Sequence, residues 1–258
     1  MAYPHGLITW ADLSSPDIDR AKAFYSGLMD WETDDVVYED QVVYTMLRSG
    51  GKLAAGLGKQ PEEMTEQGLP PLWTTYVNVD DVDVVAEAFT ANGGQILAPP
   101  MDVMDSGRMA YGLDPTGAAI GLWQPGNHVG ADEFNDPGFM AWNELTTRDQ
   151  EAAVSFYTEI LPWEVQAEDM GDFTYYMFML GERPTGGLMV MDDSWPKEIP
   201  AHWMTYFRVP DTGAAVTRVT ELGGVVSVQP FDTPSGKVAV INDPSGGTFS
   251  IVGPAPQQ

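Results

Sequence analysis

Gly6-Leu7-Ile8-Thr9-Trp10-Ala11-Asp12-Leu13 is written twice in this chain. Gly138-Phe139-Met140-Ala141-Trp142-Asn143-Glu144-Leu145 repeats its pattern, with Trp142 answering Trp10 and Glu144 answering Asp12. Both stretches alternate as half-buried strands do. Ile8, Trp10 and Asp12 fall on one face, and Met140, Trp142 and Glu144 on the equivalent one. Each runs into a helix start, Ser14-Ser15-Pro16-Asp17 or Thr146-Thr147-Arg148-Asp149. The helices then carry Ala23-Phe24-Tyr25 and Ser155-Phe156-Tyr157. A strand bearing an indole and a carboxylate on one face, duplicated with its helix, predicts two copies of one pocket.

The repeat continues along the chain. Ala21, Phe24, Tyr25 and Leu28 recur at helical spacing, with Ser15 or Asp17 as the cap. Val36 to Tyr38, Val42 to Leu47 and Lys52 to Leu57 read as strands, and Gln60 to Pro71 as a connector. A second unit follows: strand Trp73 to Val79, a helix capped by Asp80-Asp81, and a stop at Asn92-Gly93-Gly94. Met101 to Gly107 reads as a loop. The strands Arg108 to Leu113 and Ala118 to Trp123 flank an Asp114-Pro115-Thr116-Gly117 turn. From Gly138 the order begins again, ending in Asp243-Pro244-Ser245-Gly246 and a tail, Pro254 to Gln258, that reads as frayed. The expected division is residues 1–126, a linker at 127–137, and residues 138–258, each half a pair of βαβββ modules.

Composition narrows the function. The chain has 258 residues, 43% hydrophobic, which suffices for ordinary cores. The formal charge of −26 excludes nucleic acid and anionic membrane surfaces as expected partners, since phosphate binding draws on surplus Lys and Arg. Without cysteine there is neither disulfide nor thiolate chemistry, and with no apolar span or signal-like start a soluble cytoplasmic protein is expected.

Asp17-x6-Phe24-Tyr25, Asp80-Asp81 with Asn92-Gly93-Gly94, and Asp114-Pro115-x-Gly117, all recurring in the second half, resemble the signatures of the vicinal oxygen chelate superfamily. That superfamily includes glyoxalases, extradiol dioxygenases and bleomycin-resistance proteins, and the tandem form resembles its actinobacterial members. The resemblance implies an α+β fold: two tandem domains, each a curved, cup-like mixed sheet with helices outside. It implies no single reaction. The family's usual chemistry rests on a divalent metal held by His or Glu facing the cup. Matched from the motifs, those positions fall on Trp10 and Trp142, Thr74 and Met204, Gly121 and Ser250, and the acid-free segments Ala54 to Leu57 and Gly186 to Leu188. None of these side chains replaces an imidazole or carboxylate, so no metal and no other cofactor is expected.

The remaining candidates are Asp12 and Glu144 as acid/base groups, against a strand end that turns them to solvent. Trp10 and Trp142 are either an aromatic floor for a flat ligand or filling for the vacated metal space. Tyr44 and Tyr176, with Tyr76 and Tyr206, face the cup beside Thr74 and Met204 and could orient a polar substrate. Arg108 and Lys237 match each other, and meet either an anionic group or a nearby acid. His5, His128 and His202 read as surface or structural. Two functions stay open, a binding protein for a small, flat, mostly apolar molecule and a metal-independent enzyme using Asp12 or Glu144; a third, a metal-dependent glyoxalase or dioxygenase, follows from the resemblance and is opposed by these residues. A monomer is favoured over a dimer.

Overall fold

A computed structural model describes residues 3–255; the last three residues of the expected frayed tail lie outside the described residues. The chain runs β1 (Ile8–Ser15), α1 (Ile18–Met29), β2 (Glu32–Tyr38), β3 (Gln41–Ser49), β4 (Lys52–Lys59), α2 (Glu62–Glu66), β5 (Leu72–Asn78), α3 (Val82–Ala91), β6 (Gln95–Val103), β7 (Gly107–Leu113) and β8 (Ala119–Pro125). The second half follows as β9 (Met140–Thr147), α4 (Gln150–Ile160), β10 (Glu164–Asp169), β11 (Thr174–Leu180), β12 (Arg183–Val190), β13 (His202–Arg208), α5 (Thr212–Glu221), β14 (Val225–Thr233), β15 (Gly236–Asn242) and β16 (Thr248–Val252). Each half is strand-helix-strand-strand-strand twice over, the expected α+β arrangement.

Two eight-stranded mixed sheets result, ordered β2-β3-β4-β1-β5-β8-β7-β6 and β10-β11-β12-β9-β13-β16-β15-β14. The hairpins are antiparallel, whereas β1 with β4, β5 with β8, β9 with β12 and β13 with β16 run parallel, as a βαβββ module requires. The helix caps follow the sequence: Asp17, Asp81, Asp149 and Asp211 each accept from backbone N–H groups of the first turn. Helix α1 buries Ala21, Phe24, Tyr25 and Met29 and α4 buries Ala153, Phe156, Tyr157 and Ile160, one apolar stripe each.

The connector after β4 contains the short helix α2, which buries no residue. Met101 to Val103, read as loop, belongs to β6, whose pairing with β7 shifts register between Ile96 and Ala98 and again between Ala98 and Met101. The adjacent Pro99 and Pro100 cannot donate to a ladder, and an outermost strand is where a sheet tolerates them.

The described residues gather into two compact units, one of residues 3–9, 75–130 and 142–204 and the other of 10–74, 131–141 and 205–255. Each unit holds one module from each sequence half. In the second unit the core is an aromatic cluster of Phe24, Tyr25, Trp31, Trp73, Phe207 and Phe249. Phe89, Phe156, Tyr157, Trp163, Phe178 and Trp203 form its counterpart in the first. Such rings bury the largest apolar areas available, and their mostly edge-to-face contacts add to that burial. Among the described residues no helix is long and apolar enough to cross a membrane.

Candidate functional site

Four times among the described residues an indole, a phenol and a carboxylate are joined in one order. Two of the four are deep in the cores. Trp73 Nε1 donates to Tyr25 OH at 2.9 Å, and Tyr25 OH donates to Asp243 Oδ2 at 3.0 Å. In the other unit Trp203 Nε1 donates to Tyr157 OH at 2.8 Å, which donates to Asp114 Oδ2 at 2.9 Å. The other oxygen of each aspartate holds the Asp-Pro-x-Gly turn: Asp114 Oδ1 accepts from Thr116 N and Ala118 N, Asp243 Oδ1 from Ser245 N and Gly247 N. Burial, reinforced by the aspartate charge, pushes both phenols well above their ordinary pKa. The helix Tyr, the fifth-strand Trp and the turn Asp are therefore one fully satisfied structural network. This explains why these motifs report the fold and are silent on the reaction.

The other two trios lie on the opposite strand face. Trp10 and Asp12 stand two residues apart on β1, and Tyr44 comes from β3. Trp10 Nε1 donates to Tyr44 OH at 3.1 Å, and Tyr44 OH donates to Asp12 Oδ2 at 3.0 Å. On the second copy Trp142 Nε1 donates to Tyr175 OH at 2.9 Å, which donates to Glu144 Oε2 at 2.7 Å. Between the two strands runs β4 or β12, with a glycine at the crossing. Asp12 pairs with Gly56 and Glu144 with Gly187, and a Cβ on either glycine would run into the tyrosine hydroxyl. Glu144 is 6% exposed and Trp10 5%, while Asp12 is half-buried. Burial and the Glu144 charge raise the Tyr175 pKa, so this phenol keeps its proton and serves as a donor.

Tyr175, not the expected Tyr176, is the counterpart of Tyr44. Tyr44 pairs with Gly58, two residues past Gly56; Tyr176 pairs with Leu188, one residue past Gly187. The β10–β11 hairpin is one residue shorter than its counterpart, and a one-residue slip turns the neighbouring side chain to the other face. Tyr176 consequently points away from Trp142 and Glu144. The spacing from Glu164, compared with that from Glu32, carried the signal.

The remaining site candidates lie on other strands. Tyr76 lies in register with Gly121, and Tyr206 with Ser250; Thr74 and Met204 share those strand faces. Arg108 is on the helix side of β7, where its guanidinium grips both oxygens of Asp83 at 2.8 and 2.9 Å and reaches Asp102 at 2.9 Å. Lys237 pairs with its cross-strand neighbour Asp232 at 3.5 Å. His5 Nδ1 accepts from Asp80 N at 3.0 Å, and His202, whose pKa burial lowers, has its Nδ1 2.9 Å from Pro200 O. Among the described residues no group of three or more His, Cys, Asp or Glu side chains converges as a metal site would need. The indoles, Thr, Met, Gly and Ser at the positions that the resemblance matches to the family's ligands offer a divalent cation no imidazole and no carboxylate.

The model of the Glyoxalase/Bleomycin resistance protein/Dioxygenase superfamily matches residues 7–122 and 138–251. "Putative glyoxylase CFP32" of Mycobacterium tuberculosis is 39% identical over 259 residues, covering 99% of this chain and 98% of that protein. "Anthracycline biosynthesis protein DnrV" of Streptomyces peucetius is 34% identical over 257 residues, covering 96% and 93%. Among solved structures, the Mn(II)-bound glyoxalase from Novosphingobium aromaticivorans aligns with a TM-score of 0.65 at 15% identity, covering 96% of this chain and 82% of that one. The 2,3-dioxygenase LapB from Pseudomonas sp. KL28 aligns equally well at 13% identity, covering 97% and 93%, a likeness of fold alone. The chain belongs to the Glyoxalase/Bleomycin resistance protein/Dioxygenase superfamily.

Proposed function

We propose that this protein binds a small, flat aromatic molecule bearing a hydroxyl group, without a metal, on the strand faces that carry the Trp10–Tyr44–Asp12 and Trp142–Tyr175–Glu144 trios. Each sequence half, 1–126 and 138–258, contributes one trio, with 127–137 joining them. The observation that carries the reading is the recurrence of the trio despite the shorter hairpin of the second half. Each indole edge is committed to a tyrosine, which fixes the orientation of a ring that a flat ligand would stack against. Each tyrosine proton is directed at the carboxylate. A carboxylate has room for several donors, so Asp12 or Glu144 can take a further one from a ligand hydroxyl. The similarity to an anthracycline biosynthesis protein supports a fused-ring aromatic as the ligand class. A cysteine-free chain suits a reducing cytoplasm.

Burial of Glu144 favours a second reading, in which the acid removes a proton from the bound hydroxyl as a general base. Titration with 1,2-dihydroxyanthraquinone, followed by tryptophan fluorescence and by melting temperature, separates the outcomes. Quenching and a raised Tm are expected in the native protein. Both should weaken at least tenfold in the double variant Asp12→Asn, Glu144→Gln, and survive dialysis against EDTA. An unaltered probe recovered after incubation supports binding alone; a probe altered by the native protein and left intact by Glu144→Gln establishes the catalytic reading. Absence of quenching, or quenching indifferent to both acids and both indoles, refutes the proposal.

A further inference from the structure

Two of the four trios stand back to back on one strand. Both belong to the compact unit of residues 3–9, 75–130 and 142–204. On β12 a Cβ at Gly186 would lie 3.3 Å from Trp203 Cζ3, and one at Gly187 would lie 2.8 Å from Trp142 Nε1. Adjacent residues of a strand face opposite sides, so the two indoles flank β12, and neither glycine places a side chain between them. Trp203 leads to the buried Tyr157 and Asp114, and Trp142 to Tyr175 and Glu144. In both trios the phenol proton is held against a carboxylate, at 2.9 and 2.7 Å.

That geometry sets the cost of losing an electron. A buried phenol without an acceptor must, when oxidised, hold a positive charge or send its proton to water. Here the proton crosses one hydrogen bond. The Tyr157 O–H bond breaks, an Asp114 O–H bond forms, and a neutral tyrosyl radical stands beside a neutral acid. The pair passes from one negative charge to none. Burial penalises charge, so surroundings that leave Asp114 3% and Glu144 6% exposed favour the loss. Each indole N–H meets a phenol oxygen, a far weaker base than a carboxylate, so an oxidised indole passes the vacancy on.

We infer that these two trios form a one-electron relay. Tyr175, half-buried, is its outer end. It gives an electron to a strong one-electron oxidant, an aromatic radical or a photoexcited aromatic, and Glu144 takes its proton. Trp142 and Trp203 then carry an electron outward from Tyr157. Glu144 returns its proton to Tyr175, and Asp114 takes that of Tyr157. The balance is one electron moved from Tyr157 to the oxidant and one proton moved from Tyr157 to Asp114. The vacancy comes to rest on Tyr157, which is 0% exposed and shielded from water and from other molecules. The relay acts on any such oxidant that reaches Tyr175 and needs no bound aromatic ligand.

Flash oxidation with tris(bipyridine)ruthenium(II) and persulfate, frozen at increasing delays and read by electron paramagnetic resonance, tests this. Tyr44→Phe serves as the parent protein, so that the corresponding tyrosine of the other unit gives no signal. A tyrosyl radical that outlives that of free tyrosine at least tenfold is expected. Adding Tyr175→Phe or Glu144→Gln should lower its yield at least tenfold. Trp203→Phe should leave the early yield intact and shorten the lifetime at least tenfold, since the vacancy then stays at Tyr175. Circular dichroism checks that each variant is folded, and Trp142→Phe carries the same expectation should Trp203→Phe fail to fold. A radical no longer-lived than that of free tyrosine, an unchanged yield in both Tyr175→Phe and Glu144→Gln, or an unchanged lifetime without the indole would each overturn the relay. Binding of 1,2-dihydroxyanthraquinone by the native protein is read separately, so the relay and the aromatic-ligand reading fail independently.

Discussion

Tyr157→Phe removes one oxygen atom from the centre of a core, and its cost can be worked from the contacts. The hydroxyl accepts from Trp203 Nε1 at 2.8 Å and donates to Asp114 Oδ2 at 2.9 Å, and all three residues are buried. Phenylalanine fills the same ring space, so no large cavity opens. Two polar groups lose their partner together, an indole N–H and a carboxylate oxygen. An orphaned buried group costs about 1–3 kcal/mol, with a charged one toward the upper end, so the pair sums to roughly 2–6 kcal/mol. The Asp114-Pro115-Thr116-Gly117 turn survives, because Asp114 Oδ1 still receives Thr116 N, Thr116 Oγ1 and Ala118 N. Against a domain stability of about 5–15 kcal/mol the expected loss is a large fraction. Urea unfolding followed by circular dichroism should therefore show a much lower midpoint at an unchanged m-value. Tyr175→Phe, whose hydroxyl lies on the candidate site, should cost less stability and abolish probe binding. An unfolding free energy for Tyr157→Phe within about 0.5 kcal/mol of native would refute the assignment of the Phe-Tyr and Asp-Pro-x-Gly motifs to one structural network.

Alkaline stability follows from the same tyrosines. Tyr25, Tyr157 and Tyr175 all have folded-state pKa values raised above the ordinary 10.0, by burial first and then by the neighbouring carboxylate. The unfolded chain loses these protons above pH 10 while the folded one keeps them. Their contribution is thus intact below pH 10 and is lost as pH rises from there toward the folded values, at about 1.4 kcal/mol per pH unit per tyrosine. Phenolate absorbance at 295 nm from these three should appear only together with unfolding; titration of all ten tyrosines in a chain that stays folded would contradict this. Gly187→Ala would drive a methyl group into the Tyr175 hydroxyl and within 2.8 Å of Trp142 Nε1. It should lower probe affinity at least tenfold while the fold persists, and unchanged affinity would show that the trio does not shape the site.

The fold was legible because its strongest determinants are local and doubled. Phe24-Tyr25, Asp81, Gly93-Gly94 and the Asp-Pro-x-Gly turns each have a physical task that few other residues perform. What the sequence withheld was long-range choice. Nothing in Tyr25 says whether its aspartate is Asp114 or Asp243, since both halves offer the same turn; packing chooses Asp243. Tyr175 and Tyr176 stand side by side, and only the length of a hairpin decides which of them meets Trp142. Pro99 and Pro100 hid β6 because proline breaks the local pattern without preventing membership of an outermost strand. Arg108 and Lys237 looked like ligand contacts by symmetry, yet each had an acid within reach across its own hairpin.

Because Tyr25 reaches Asp243, Tyr157 reaches Asp114, Trp31 Nε1 reaches Gly138 O and Trp163 Nε1 reaches Gly6 O, both cores are closed by residues from both halves of the sequence. A ribosome that has released residues 1–126 has not yet delivered a finished hydrophobic interior. The early modules must wait, unsealed, for their complements to be synthesised. A shorter ancestor holding a single half could have sealed itself only by trading modules with a twin, and fusing two such copies would have turned that trade into a private exchange within one polypeptide.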